Sequence, residues 1–513
     1  MKFALDITRA ENFPEWYQAV VAQADLAEAS PVRGCMIIKP WGWGVWELVQ
    51  AALDKRIKET GHENCYFPLF IPLSFIAQEA AHVEGFAKEM AVVTHHRLKA
   101  ADGKLFVDPE SELEEPLVVR PTSETIIGDA FRRWVASYRD LPVLINQWAN
   151  VVRWEMRTRM FLRTSEFLWQ EGHTAHADAE DARAETLKML EVYRELAEDV
   201  LAMPVVVGEK PENERFPGAD NTFSIEAMMQ DGKALQAGTS HYLGTNFAKA
   251  QNIRFQSATG DLEFCHTTSW GVSTRLIGGV IMTHGDDDGL RLPPKIAPKQ
   301  IVIVPMLREK PEDAEVLAYC EKLKSELDRL TAFSAPVRAH LDKKPARAAN
   351  KRWDWVRRGA PIILEVGPRD MANDSVTLLR RDRLRDGEKI ASTGMTRSAL
   401  MELAPALLAD IQAALFDEAK AKRDANIRTD LATFEAVAAY FGEEAEDGAG
   451  AFKGWVRAPW SRPTGAELEQ VEQRLKAYKL TLRNAPLGQE PAKGKCVFTG
   501  RDAVEDILIA RAY

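Results

Sequence analysis

The sequence predicts a mixed α/β (α+β) protein made of three successive units. A segment with three prolines at 291–299 excludes a regular helix and is typical of a linker between domains. After it, strand-like and helix-like segments alternate over about 100 residues, a pattern that favours a compact α/β domain. With 513 residues and 46% hydrophobic content, the chain is long enough for two or three domains with cores. We therefore expect domains at 1–290, 300–422 and 423–513, the first two joined by the linker.

The first unit combines helical and strand-like apolar patterns. Apolar residues recur at helical spacing between residues 45 and 53. The aromatic run at 64–72 is strand-like, and its prolines indicate a sheet edge or a strand end. Two more strand-like runs, at 151–155 and 161–173, flank the polar loop 156–160. They predict an antiparallel pair of strands.

The second unit alternates regularly, whereas the third has a weaker pattern. Strands are predicted at 301–304, 361–366 and 376–379, and helices at 312–330 and 398–422. In the third unit, the acidic and glycine-containing stretch at 442–448 predicts a flexible loop, and the apolar run 504–509 predicts a strand.

Composition narrows the functional classes. The chain has no run of about 18 apolar residues, so we expect no membrane-spanning helix. The N-terminus has no signal-peptide pattern, and five scattered cysteines favour a reducing cytoplasm over a disulfide framework. A net charge of -10 argues against a nonspecific nucleic-acid binder. A basic stretch at 343–358 is either a solvated surface or a local binding surface.

An arginine at the end of the first paired strand is the first candidate for chemistry. Arg153 is followed by Glu155, and the second strand carries a dense mixture of Arg, Glu, Trp and His. A guanidinium can hold a phosphate through two parallel hydrogen bonds. An isolated Arg-x-Glu pair is more often a structural salt bridge, but this polar mixture across two strands is difficult to explain as core.

Three further segments combine small, polar and charged residues. Arg275 begins an apolar helix-like run, where burial without an anion would be costly. In the segment 120–124, Thr122 and Glu124 are placed to cap the helix predicted at 125–134, and local pattern alone favours that role. The segment 236–244 is a turn of small polar residues, and its His241 alone would be structural.

Together, and in this order, these segments resemble the signature motifs of class II aminoacyl-tRNA synthetases. Arg153 and Arg275 resemble the arginines of motifs 2 and 3. The strings Arg-Pro-Thr-Ser-Glu at 120–124, Phe-Leu-Arg-Thr-Ser-Glu-Phe-Leu-Trp-Gln-Glu-Gly-His at 161–173 and Trp-Gly-Val-Ser-Thr-Arg at 270–275 resemble the prolyl-tRNA synthetase family in its archaeal/eukaryote-like form. The resemblance covers essentially the whole chain.

The resemblance implies a fold and a reaction. The first unit would be an antiparallel sheet flanked by helices that binds ATP, activates L-proline to prolyl-adenylate and then charges proline tRNA. Arg153 and Arg275 would be catalytic, gripping the α-phosphate and the distal phosphates. The ATP site, with Mg²⁺ on the phosphates, would comprise Arg153, Glu155, Arg163, Thr164, Gln236, Thr239, Ser273 and Arg275. Fixed cations suit this reaction, because its charge moves onto pyrophosphate.

The proline pocket and the tRNA contacts follow from the same resemblance. Thr122 and Glu124 would receive the secondary ammonium, and the remaining pocket residues would be Arg153, Phe167, Trp169, Glu171, His173 and His241. The second unit would read the anticodon, with Arg347, Lys351, Asp354 and Glu365 as candidates, although the segment 351–355 matches the family only loosely. A cytoplasmic homodimer formed partly by residues 40–72 is also implied.

The chain departs from the family at two places. Many relatives carry a four-cysteine zinc site in the C-terminal unit, but here only Cys496 follows Cys320, and Ser461 stands at a typical ligand position. Zinc needs four ligands, so we expect no metal in that domain. We expect its chain terminus, at Tyr513, to lie near the active site, as the resemblance implies. The segment between His173 and Gln236 is too short for a large editing insertion.

Two other functions fit part of the pattern. A class II synthetase for threonine or serine is one, but threonine enzymes use a zinc ligand set that the segment 120–124 does not supply. A catalytically inactive RNA-binding paralogue is the other. It would be expected to lose a motif arginine, yet both Arg153 and Arg275 are present.

Overall fold

The computed structural model describes residues 3–78, 89–442 and 452–513. Its architecture is mixed α/β with three main sheets, as the sequence predicts. The loop predicted at 442–448 falls, after Gly442, outside the described residues. The largest apolar core lies mainly in the first unit and takes in residues of the second, and two further cores lie mainly in the second and in the third unit.

The first unit contains a large antiparallel sheet with helices packed against it. The helices are α1 (Phe13–Gln23), α2 (Pro40–Glu59), α3 (Leu73–Gln78), α4 (Glu124–Trp134), α5 (Ala179–Glu195), α6 (Asn246–Gln251) and α7 (Arg275–His284). The strands are β1 (Ala27–Ala29), β2 (Met36–Ile38), β3 (Glu63–Asn64), β4 (Phe70–Pro72), β5 (Ala91–His95), β6 (Leu98–Ala101), β7 (Lys104–Val107), β8 (Glu112–Val119), β9 (Val143–Val152), β10 (Glu166–His176), β11 (Val205–Glu209), β12 (Asn221–Met228), β13 (Ala234–Gly244), β14 (Arg254–Gln256), β15 (Leu262–Phe264) and β16 (His266–Ser273).

The predicted antiparallel pair is confirmed as β9 and β10, which align Gln147 with Glu171. The prediction of a single strand-like run at 64–72 is wrong in detail, because the segment contributes to two strands, β3 and β4, which belong to different sheets. Pro68 lies between them and has no amide proton to donate to a ladder. Helix α2, which precedes this run, extends beyond the apolar pattern at 45–53. It begins at Pro40, a residue that is favoured in the first turn of a helix.

The second unit is a five-stranded sheet with helices on it. Its helices are α8 (Asp313–Leu327), α9 (Ala348–Arg357), α10 (Pro368–Ala372) and α11 (Arg397–Ala425). Its strands are β17 (Ile301–Pro305), β18 (Thr331–Ala332), β19 (Ala335–Pro336), β20 (Ala339–Leu341), β21 (Ile362–Val366), β22 (Ser375–Arg380), β23 (Arg385–Asp386), β24 (Lys389–Ile390) and β25 (Thr393–Thr396). The main sheet has the order β20-β17-β21-β22-β25, in which β17 runs parallel to both of its neighbours.

Helix α11 has the length and apolar composition of a membrane-spanning segment. However, its apolar residues Leu400, Leu408, Ile411 and Leu415 are buried in the core of the second unit. A core helix of a folded domain passes the same test of length and composition. The packing therefore accounts for the apolar face.

The third unit is small and pairs with the first. Its helices are α12 (Phe434–Phe441) and α13 (Gly465–Lys476), and its strands are β26 (Ile427–Arg428), β27 (Trp455–Trp460), β28 (Thr481–Leu482), β29 (Ala485–Pro486) and β30 (Glu505–Ala510). Strand β29 pairs with β11 and so becomes the outer strand of the large sheet of the first unit. The run predicted at 504–509 is the strand β30.

Polar and aromatic contacts join the units. Between the first and second units, Arg381 donates to Asp286 at 2.5 and 2.7 Å, and the rings of Trp41 and Trp355 lie 5.6 Å apart. Tyr513 donates from its hydroxyl to Asp231 at 2.6 Å, which fastens the last residue to the turn before β13. These contacts hold both smaller units against the sheet that carries the candidate site.

Candidate active site

Four neighbouring strands, β9, β10, β16 and β13, form the floor of the candidate site. Side chains two residues apart on a strand share one face. The polar and aromatic residues of β10 obey this rule; they are Phe167, Trp169, Glu171 and His173. Across the sheet, Gly271 of β16 is aligned with both Glu171 and Thr239, so the predicted residues of β10 and β13 fall in register.

The residues predicted for ATP and proline line two adjoining clefts of about 250 and 270 Å³. The first cleft contains Thr122, Glu124, Trp169, Glu171, His173, Gln236, Thr239 and His241. The second contains Glu155, Arg163 and Thr164. Arg153, Phe167, Ser273 and Arg275 line both. Segments that lie far apart in the chain therefore converge on one place.

The helix-capping role considered for Thr122 and Glu124 is wrong. Helix α4 begins at Glu124 itself, and its N-cap is Ser123, whose side chain makes no capping hydrogen bond. Instead, Thr122 donates from its hydroxyl to the Glu124 carboxylate. The Ser123 hydroxyl donates to Glu171 at 2.5 Å. Thr122 and Glu124 both line the first cleft, whereas Ser123 is buried against Glu171.

A buried ion pair lies at the back of the first cleft. Nε2 of His173 is 2.9 Å from Oε2 of Glu171, whose other oxygen accepts from Gln147 at 2.8 Å. Burial disfavours the charged form of both groups, but the hydrogen bonds and the charge attraction together have the larger effect. The hydrogen bond and charge of Glu171 raise the pKa of His173 above its ordinary value, and His173 holds the pKa of Glu171 below its own.

His241 is the opposite case. Burial, with a smaller contribution from the charge of His173, lowers the pKa of His241 to about 3. Its Nδ1 lies 3.0 Å from the Thr222 hydroxyl, and its ring lies 4.8 Å from that of Phe216. His241 is therefore a neutral wall of the cleft at physiological pH.

Arg153 lies between the two clefts. Its Nε donates to the Pro121 carbonyl at 3.0 Å, and its guanidinium lies 5.6 and 5.5 Å from the rings of Phe167 and Trp169. Burial lowers the pKa of Arg153, while the nearby carboxylates of Glu124, Glu89 and Glu171 oppose that shift. A desolvated guanidinium held in one orientation is suited to an anionic ligand.

Arg275 begins helix α7, as the sequence indicates. Its Nε donates to the Leu162 carbonyl at 3.3 Å. Burial, followed by repulsion from Arg163, Arg153 and Arg483, lowers its pKa to about 10. The concentration of positive charge at a helix N-terminus favours phosphate groups here.

The loop between β9 and β10 supplies the second cleft. The Thr164 hydroxyl donates to the Glu166 carbonyl at 2.6 Å, and a carboxylate oxygen of Glu155 accepts from the Arg157 amide at 2.7 Å. Arg163 is exposed. These contacts order the loop and leave an arginine at its surface.

Sequence reasoning missed several cleft residues. Glu89 lines the second cleft, while Phe216 and Thr222 line the first. None of them belongs to a patterned string, and Phe216 lies in the irregular segment before β12. Thr222 alone could have been recognised, because it alternates with the polar residues Ser224 and Glu226 as residues on one face of a strand do.

The four anticodon candidates do not form one exposed cluster. Arg347 is exposed and precedes α9. Asp354 is exposed but pairs with Arg357 at 2.5 Å, and Glu365 pairs with Arg352 at 3.2 Å. Lys351 is only 2% exposed, and its ammonium donates to the Asp342 carbonyl at 3.0 Å. Of the four, Lys351 is therefore the one whose charge is turned inward.

Cys496 and Ser461, the two residues that the resemblance compares with zinc ligands, belong to a hydrogen-bonded group in the third unit. The hydroxyls of Ser461 and Thr499 lie 2.9 Å apart. Burial opposes ionisation of Cys496, but hydrogen bonds from these hydroxyls and from neighbouring amides lower the pKa of its thiol. Within the described residues, no group of three or more His, Cys, Asp or Glu could hold a metal ion.

Comparison with known proteins agrees with this geometry. Residues 107–284 match the class II tRNA synthetase core domain (G, H, P, S and T), and residues 300–403 match an anticodon-binding domain. The proline–tRNA ligase of Sphingomonas elodea is 63% identical over 514 residues, covering 100% of both chains. That of Bdellovibrio bacteriovorus is 53% identical over 99% of both chains.

A solved structure shows the same relationship. The prolyl-tRNA synthetase of Cryptosporidium parvum, crystallised with L-proline and AMP, is 35% identical with a TM-score of 0.86. The match covers 99% of this chain and 97% of that one. The chain belongs to the proline–tRNA ligase family of class II aminoacyl-tRNA synthetases. The predicted fold class and enzyme family are thus confirmed.

Proposed function

We propose that this chain activates L-proline with ATP to form prolyl-adenylate and pyrophosphate, then transfers proline to the 3′-terminal adenosine of proline tRNA. The observation that carries the proposal is the position of Arg153, which lies beside the cleft holding Glu124 and also lines the cleft holding Arg163. A carboxylate suited to an amine therefore lies near a guanidinium suited to a phosphate, where the two clefts meet.

Each end of the site suits its part of the substrate pair. Glu124, oriented by Thr122, receives the secondary ammonium of proline. The rings of Phe167 and Trp169 and neutral His241 wall the apolar ring, while Glu171 and His173 support Ser123 behind them. The pocket thus combines a carboxylate for the amine with aromatic walls for the ring, as a small cyclic amino acid requires.

Charge stabilisation is the main catalytic resource. The proline carboxylate attacks the α-phosphate in line, and the leaving pyrophosphate takes up negative charge. Arg153 holds the α-phosphate, Arg275 the distal phosphates, and Arg163 supports them from the loop. Thr164, Gln236, Thr239 and Ser273 supply polar contacts to the nucleotide. No protein nucleophile is required.

Mg²⁺ would neutralise further charge on the phosphates. It prefers oxygen ligands and keeps several waters, so one or two carboxylates suffice. The carboxylates of Glu89 and Glu155 line the second cleft and are the available donors. The phosphates and water would supply the remaining ligands.

We further propose a cytoplasmic homodimer. Within the segment 40–72, Tyr66 is 68% exposed, Phe70 44% and Trp43 42%, which is apolar surface suited to a two-fold contact. The five cysteines are free thiols, which fits a reducing compartment. Sedimentation of an active monomer would refute the dimer.

The test of the function is ATP–pyrophosphate exchange with a panel of amino acids. Proline should support exchange far better than threonine or serine. Exchange with threonine or serine instead would identify a different synthetase. An absence of exchange with every amino acid, in a folded protein, would favour an inactive RNA-binding paralogue.

A further inference from the structure

A loop of the first unit forms one wall of the first cleft. The cleft loop, residues 210–220, connects β11 to β12 and is irregular apart from one short 3₁₀ turn. Its residues Glu214, Arg215 and Phe216 line the cleft. The Phe216 ring lies 4.8 Å from the His241 ring, which places this wall beside the proposed proline pocket. The position of the loop therefore determines the shape of that end of the cleft.

The second half of the cleft loop is held by the first unit. The Phe216 amide donates to the Thr222 hydroxyl of β12 at 2.9 Å. Nδ2 of Asn246, the first residue of α6, donates to the Gly218 carbonyl at 3.0 Å. These contacts fasten the loop on the side that leads into β12.

The first half of the cleft loop is held by the third unit. Nδ2 of Asn213 donates to the Glu472 carboxylate of helix α13. One residue before the loop, the Glu209 carboxylate accepts from Nη2 of Arg462 at 3.1 Å. The other oxygen of Glu209 accepts at 2.8 Å from Asn221, the residue that follows the loop. Glu209 therefore connects both ends of the loop to the third unit.

A buried lysine at the base of the cleft loop adds a third link. Lys210 is 2% exposed, and its Nζ lies 3.5 Å from Glu226 and 3.6 Å from Glu214. Oε2 of Glu226 also accepts from Nη2 and Nε of Arg483, in the third unit, at 2.8 and 3.2 Å. The Lys210 ammonium thus lies between a carboxylate that lines the cleft and one that is bound by the third unit.

Backbone pairing attaches the third unit to β11 independently of these side chains. Strand β29 is antiparallel to β11, with Ala485 aligned with Glu209 and Pro486 with Gly208. Because β11 leads directly into the cleft loop, the third unit has a fixed position beside the start of the loop. Substitution of the side chains at the surface should therefore release the loop without detaching the unit.

We propose that Arg462 and Glu472 are positioning residues for proline, which act through Glu209 and Asn213 to hold the cleft loop against the proline end of the site. The inference rests on the proposed function, because it assigns that end of the cleft to proline. The third unit thereby contributes to recognition of the amino acid, although none of the described residues that line the first cleft belongs to it. A purely structural contact would instead affect the use of both substrates equally.

The test compares five proteins in ATP–pyrophosphate exchange: the wild type, Glu472→Ala, Glu472→Gln, Glu472→Ala with Arg462→Met, and the control Glu467→Ala. Glu467 lies on the same helix, α13, but pairs with Arg501 of the third unit. Its substitution therefore removes a carboxylate from the helix and leaves the loop contacts in place. Glu472→Gln keeps an oxygen that can accept from Asn213.

The Michaelis constants separate a role in proline binding from a general defect. Glu472→Ala should raise KM for proline by about threefold, because one exposed contact contributes little. The double variant releases the loop at two points and should raise it by about tenfold or more, since binding must then order the loop. KM for ATP should stay within about twofold, because the residues assigned to the nucleotide lie outside the cleft loop. Glu472→Gln and Glu467→Ala should keep both KM values within about twofold of the wild type.

Hydrogen–deuterium exchange of the backbone amides reports on the cleft loop without catalysis. In the absence of substrates, peptides covering 210–220 should exchange faster in the double variant than in the wild type. Peptides covering β30 should exchange equally in the two proteins, because the third unit remains paired with β11 through β29.

Four results would each overturn the proposal. They are an unchanged KM for proline in the double variant, an equal rise of both KM values, a rise in Glu472→Gln as large as that in Glu472→Ala, and unchanged exchange of the loop amides. If the double variant does not fold, Glu472→Ala decides alone, since an unchanged KM for proline there contradicts the proposal. Failure of the proposed function is distinguishable, because the wild type would then show no proline-dependent ATP–pyrophosphate exchange, whereas the loop amides could still be compared.

Discussion

Nε2 of His173 lies 2.9 Å from Oε2 of Glu171, and both side chains are at least 95% buried. The pair raises the pKa of His173 above its ordinary 6.5 and lowers that of Glu171 below its ordinary 4.5, against the effect of burial on both. Its stabilising contribution is therefore complete between these two ordinary values. It declines as the pH rises through the raised pKa of His173 or falls through the lowered pKa of Glu171.

We predict that Glu171→Gln lowers the free energy of unfolding by about 1.5–3 kcal/mol near pH 6, and by less at a pH above the raised pKa of His173, where the imidazole is neutral in the wild type as well. Urea unfolding of both proteins at the two pH values measures the difference. An equal loss at both would show that the charge of His173 contributes nothing to the pair.

Arg153→Ala should abolish most adenylate formation without unfolding the protein. The guanidinium is held by the Pro121 carbonyl and by two aromatic rings, so its orientation is fixed, as the proposed contact with the α-phosphate requires. Loss of such a donor lowers turnover by about 10²–10³-fold. The rate of proline-dependent ATP–pyrophosphate exchange measures this decrease. Arg183→Ala is the matched control, because Arg183 lies over the Tyr242 ring outside the two clefts. Near-normal exchange in Arg153→Ala would remove Arg153 from the catalytic site.

Glu124→Gln should impair the recognition of proline more than that of ATP. The amide keeps the shape of the side chain but loses the charge that, in the proposed function, faces the ammonium. A hydrogen bond to a charged group contributes about 1.5–3 kcal/mol, so KM for proline should rise by about 10–150-fold. KM for ATP in the same exchange assay is the internal control. Unchanged values for proline would leave Glu124 with a structural role at the start of α4.

Arg347→Ala should slow the charging of proline tRNA and spare adenylate formation. Arg347 is exposed and can donate to base edges such as guanine O6 and N7 in an unstacked anticodon. Aminoacylation and exchange, measured on the same preparation, separate the two steps. Lys322→Ala on helix α8 is the control for loss of an exposed cation from this unit. An equal decrease of both steps in Arg347→Ala would indicate a folding defect.

The predicted site residues lie together where a periodic strand or a continuous motif carries them. Alternation along β10 places Phe167, Trp169, Glu171 and His173 on one face, because the strand period is two. The pairing of β10 with both β9 and β16 then brings Arg153 and Arg275, which follow those two strands, to the same end of the sheet.

Contacts between distant segments were not predictable in this way. The inward orientation of Lys351 depends on Asp342, and the pairing of Arg483 with Glu226 depends on β29 joining a sheet of another unit. A capping pattern at Thr122 and Glu124 was a reasonable local interpretation. The capping interpretation is wrong because the helix starts at Glu124 itself, whose carboxylate accepts a hydrogen bond from the Thr122 hydroxyl.

The central claim is that Glu124 binds the amine and Arg153 the α-phosphate of one adenylate. A crystal structure with a non-hydrolysable prolyl-adenylate analogue tests it most directly. We predict that a Glu124 carboxylate oxygen lies within about 3.2 Å of the proline nitrogen, and that an Arg153 nitrogen lies equally close to the group replacing the α-phosphate. An analogue bound with its amine away from Glu124, or with its phosphate mimic out of reach of Arg153, would contradict the account.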